Sequence, residues 1–148
     1  MKSMERATWR IWTARTLIGL VFIANLTAAV PFVLHPGRYA PGFEMSGVPG
    51  DVFVRSLGIL FLMWNAGYPP AIYAPYRQRT LLLVLIAMQI IGLLGESWMA
   101  FTLPAGHDAL LRSGLRFILF DSTGLVFLVT AMLLTRKQVL EYNPRRSA

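Results

Sequence analysis

Glu96 and Asp121 are carboxylates set inside long apolar stretches, and Arg55 and Arg116 stand inside or at the rims of such stretches. A charged side chain at membrane depth costs about 2.5–3.5 kcal/mol even on the most lenient scales, so it has a partner, a wet cavity or a task. A carboxyl in that position is suited to handling a proton, or to orienting the polar head of an apolar ligand such as a quinone, an isoprenoid or a sterol-like lipid. Three amides join these charges. Gln89, Gly92 and Glu96 recur at i, i+3 and i+7 and mark one polar, small-residue stripe on a helix. Asn25 and Asn65, at the middle of other apolar runs, extend it to an expected inner column of Asn25, Asn65, Gln89 and Glu96.

These residues need elements to carry them, and composition says which. The 148-residue chain is 55% hydrophobic and 14% charged, with a mean hydropathy of +0.54, values that belong to membrane proteins. Four apolar segments, at about 16–34, 52–73, 80–103 and 115–134, each approach the roughly 20 residues that cross 30 Å of hydrocarbon. The fold expected is therefore all-α, a single integral membrane domain over 1–148 built as an antiparallel bundle of four transmembrane helices. Spans two and three, joined by a short turn with Pro75, Arg77 and Arg79, are expected to form an antiparallel hairpin and to be neighbours. Pro69 and Pro70, after Gly67 and Tyr68, should kink or loosen the end of span two.

Charge sets the orientation. Of the 14 Lys and Arg residues behind the net charge of +7, ten fall on one side: Lys2, Arg6, Arg10, Arg15, Arg77, Arg79, Arg136, Lys137, Arg145 and Arg146. Arg38, Arg55, Arg112 and Arg116 fall on the other. Basic tails 1–15 and 135–148 are thus expected in the cytoplasm, with the protein in the cell membrane. Positive charge at span ends reads as contact with lipid headgroups rather than with nucleic acid. The chain has no cysteine, which excludes disulfide exchange, thiolate metal sites and iron–sulfur clusters. His35 and His107 lie in different loops, outside the helices where a haem or metal pair would be held, so no metal site is expected. The start of the chain imitates a signal peptide, but its apolar run continues through Pro31 to Leu34 as a full span.

The two outer connections differ from the inner turn. Residues 35–51, HPGRYAPGFEMSGVPGD, are Gly- and Pro-rich and are expected to form an irregular flap between helices one and two. In 104–114, the i to i+4 spacing of Asp108 and Arg112 favours a short interfacial helix. Counted from these loops, Arg55, Glu96, Arg116 and Asp121 all fall in the outer half of the membrane. Their charges balance, with Arg55–Glu96 the favoured pair and Arg116 or Arg55 serving Asp121.

Gly42 and Phe43, then Gly47, Val48 and Pro49 ahead of a glycine-bearing second helix, resemble the DoxX-like small membrane proteins. That resemblance implies a four-helix membrane bundle, with family members described as subunits or accessory partners of quinone-linked oxidoreductases. The family tends to carry an acidic residue early in the second helix, where this chain has Arg55, so no functional residue is carried over. A more distant similarity is to the EXPERA sterol-isomerase-like bundles, which also use intramembrane acids.

Two functional readings follow from the column. In the first, its amides and charges cross-link helices, at about 0.6 kcal/mol per hydrogen bond, in a non-enzymatic accessory subunit that meets a membrane protein partner or further copies of itself. In the second, Arg55, Glu96, Arg116 and Asp121, with Asn25, Asn65 and Gln89, surround a pocket facing the outer leaflet in a lipid- or quinone-binding protein or enzyme. An oligomeric transporter or channel is a third.

Overall fold

The computed structural model describes residues 2–142, with side chains over 8–136. The side chains of Lys2, Arg6, Lys137, Arg145 and Arg146, counted above for orientation, lie outside the described residues. The described chain is helical: α1 (Lys2–Leu34), two 3-10 turns (Pro36–Arg38 and Ala40–Phe43), α2 (Gly47–Asn65), α3 (Tyr68–Tyr73), α4 (Arg79–Thr102) and α5 (Asp108–Tyr142). Four stretches are long and apolar enough to cross a membrane, with α2 and α3 together making the second.

The helices exceed their apolar spans. α1 has 33 residues and α5 has 35, about 50 Å each at 1.5 Å per residue, so the tails expected to flank the first and last spans continue their helices. The helix expected to lie on the surface at 104–114 is corrected in the same way. Asp108 opens α5, which runs unbroken from there. A carboxylate in a first turn complements the helix dipole, and no glycine or proline interrupts the path until Gly114.

The second span breaks where its prolines predict. α2 ends at Asn65, Ala66 and Gly67 form a turn, and Pro69 and Pro70 occupy the opening of α3, where a missing N–H costs nothing. The break divides the packing. α2 lies along α1, while α3 meets both α1 and α4; α2 itself makes no more than a marginal approach to α4. Spans two and three are therefore neighbours at the α3 end alone, and α2 does not pair with α4.

Two cores result. At the end carrying the termini, Ile18, Leu82, Leu85 and Leu128 are fully buried beside Ala14, Ala71 and Ala131. At the loop end the core is smaller, Phe32, Ala40 and Val54 with aromatic side chains around them. α1 and α2 close on each other at Gly58, where an added Cβ would come within 2.9 Å of the Ala29 carbonyl oxygen and 2.8 Å of the Phe32 Cβ. Many large apolar side chains point outward from every long helix, among them Ile23, Met63, Ile91, Leu94, Leu119 and Val126, as suits helices whose backbone bonds are internal and whose surroundings are hydrocarbon.

Candidate functional site

Between α2 on one side and α4 and α5 on the other, the loop end of the bundle is hollow. A cavity of about 1000 Å³ occupies it. The split in packing accounts for it: α2 leans on α1, and only large side chains reach back across, with the Phe61 and Phe117 rings 5.9 Å apart. The walls are mostly apolar and rich in aromatic rings, including Phe43, Phe53, Trp64 and Phe120. Phe53, Trp64 and Met99 are also exposed on the surface of α2 and α4, so the cavity reaches the side of the bundle.

Five of the seven singled-out polar residues, Asn25, Gln89, Glu96, Arg116 and Asp121, line this cavity from three helices. α4 and α5 carry the acids in a complementary arrangement. The Asp121 carboxylate fills the place of a side chain at Gly92, the Gln89 amide does the same at Gly124, and Glu96 Oε2 is 3.7 Å from the Cβ position of Gly114. Each polar group on one helix thus meets a glycine on the other. Among the described residues neither carboxylate has an ion-pair partner within 4.0 Å. Gln89 is 7% exposed and its Nε2 is buried without a hydrogen-bond partner. Asn25 bonds to the side chain of Tyr68, whose ring stacks on Phe22 at 5.9 Å.

Arg55 and Asn65 stand apart. Arg55 is exposed on α2 and is not part of the cavity wall. The favoured Arg55–Glu96 pair is therefore absent. Its premise was contact between spans two and three at that height, which the lean of α2 removes. Asn65 is buried, but its Nδ2 donates to the Phe61 carbonyl of its own helix at 2.7 Å, leaving Oδ1 buried and unpaired. It is tied to its own helix and does not extend the inner column.

The 35–46 loop closes one end of the cavity and is fastened to α5 at two places. Ser113 Oγ donates to the Gly42 carbonyl at 2.6 Å. Glu44 holds His107 Nδ1 at 2.5 Å and accepts the backbone N–H groups of Ala109 and Leu110, at the start of α5. The hydrogen bond from His107, its charge and those two amides hold the Glu44 carboxyl below its ordinary value of 4.5, as an anion at a helix N-terminus is held. Glu44 has a left-handed backbone, φ 54°, a costly conformation for a residue with a Cβ that the two fastenings maintain. The Tyr39 and Phe43 side chains carried by this loop line the cavity, with Arg38 beside them.

Sequence reasoning passed over Tyr68, Arg38, Glu44 and the Ser113–Gly42 contact. Tyr68 had a signal, its place directly after Gly67 and before two prolines, where a new helix axis turns its side chain inward. The loop contacts join residues 63 and 71 positions apart and had none. Comparison with protein-family models, with curated proteins and with solved structures finds no match to this chain.

Proposed function

We propose that this protein is a small multi-pass membrane protein, with both termini cytoplasmic, that binds one amphipathic, lipid-like molecule in its loop-end cavity from the outer leaflet. The observation that carries the reading is the cavity itself: about 1000 Å³, apolar and aromatic over most of its wall, with Asn25, Gln89, Glu96 and Asp121 gathered in it. A large apolar pocket with a few convergent polar groups is the usual form of a small-molecule site. Its contact with the side of the bundle suits entry from the bilayer.

The accessory-subunit reading asks the polar column to join helices. Gln89 Nε2 is unpaired, and Arg55 and Glu96 do not meet, so the pocket reading is preferred. Native mass spectrometry of protein purified in a lipid-preserving detergent tests it. One bound lipid or quinone per chain is expected, retained in wild type and lost when Ala100→Trp or Leu57→Trp fills the cavity. Protein that never carries such a molecule, or carries a stoichiometric second polypeptide instead, overturns the reading.

A further inference from the structure

The ligand of this cavity is defined by the charges inside it. Resting on the pocket reading above, we infer that the molecule bound carries a cationic amine head, held between Glu96 and Asp121, on a long apolar tail. Two carboxylates from neighbouring helices line one cavity. Among the described residues no cation lies within 4.0 Å of either. An ammonium head in that cavity supplies these acids with the cation they lack and with charge-assisted hydrogen bonds.

A further feature selects the same head. Phe61, Trp64, Phe117 and Phe120 present aromatic rings to the cavity, and ring faces attract a desolvated cation. An anionic head would meet Glu96 and Asp121 unfavourably. The cavity's own cations, Arg38 and Arg116, are exposed. They oppose entry of an amine from that side and favour its arrival sideways out of the bilayer.

The test uses three probes of equal chain length, hexadecylamine, hexadecanol and hexadecanoate, added to the full-length protein in nanodiscs, with bound stoichiometry and affinity read by native mass spectrometry. The amine should bind once per chain, at least about tenfold more tightly than the alcohol, and the preference should vanish in the Glu96→Gln, Asp121→Asn double variant while alcohol binding persists. Equal binding of amine and alcohol overturns the cationic head and leaves the pocket reading standing; tighter binding of hexadecanoate does the same. An amine preference that survives in the folded double variant overturns it as well. No binding of any probe overturns both. The comparison of probes on wild type needs no variant, so misfolding of the double variant does not protect the inference.

Discussion

The Asp121 carboxylate of α5 sits where Gly92 of α4 has no side chain, and a Cβ added at Gly92 would overlap it. One helix supplies the acid and the other the space. An acid at this depth can therefore approach the facing backbone without prising the helices apart, and the pairs Gln89–Gly124 and Asp121–Gly92 repeat the arrangement along the seam.

Gly92→Ala should destabilise the bundle by about 1–3 kcal/mol, the usual cost of overpacking, because the overlapping group belongs to a short side chain with little freedom. Asp121→Ala in the same chain should recover most of that loss, giving a coupling energy well beyond the roughly 0.5 kcal/mol of independent sites. Unfolding in detergent of the two single variants and the double variant measures it. Additive losses would contradict the steric pairing.

Glycines on these helices are not equivalent. Gly58→Ala should be strongly destabilising, since its Cβ meets the α1 backbone at 2.9 Å. Gly95→Ala meets nothing within 4 Å and should change stability by no more than about 1 kcal/mol, in the direction of helix propensity. Thermal denaturation of both variants distinguishes packing glycines from incidental ones.

Arg55 and Glu96 should behave as strangers. The double-mutant cycle of Arg55→Gln and Glu96→Gln should close to within about 0.5 kcal/mol, because Arg55 is exposed outside the cavity wall. A coupling above 1 kcal/mol, on the order expected of a desolvated pair, would restore the ion pair anticipated from the sequence.

The loop fastening depends on pH through Glu44. Its carboxyl is held below 4.5 by His107 and the α5 amides, so its contribution to stability is complete above 4.5 and is lost as pH falls through the lowered value. Wild type should melt higher than Glu44→Gln at neutral pH, and the difference should shrink as pH is taken below 4.5. A gap of constant size across that range would mean that the charge of Glu44 is not what fastens the loop.

Much of the architecture was readable residue by residue. Apolar runs of span length located the four membrane-length segments, and Gly67 with Pro69 and Pro70 located the break in the second. The stripe of Gln89, Gly92 and Glu96 was visible as spacing and does line the cavity. Helix ends were less legible: the polar flanks of α1 and α5 continue as helix, because a helix already nucleated extends one hydrogen bond at a time.

What the chain alone determined is thus the type of its elements and the spacing of the polar residues along them, both consequences of hydrophobicity and helical period. Which residues share a space was decided in three dimensions. Connectivity makes spans two and three consecutive, but the turn at Ala66–Gly67 lets α2 lean on α1, with Gly58 allowing the close approach. That lean removes Arg55 from the acids, opens the cavity, and brings Tyr68 and the Glu44 loop to its edges. Such contacts arise from the balance of packing among distant segments, which no local spacing records.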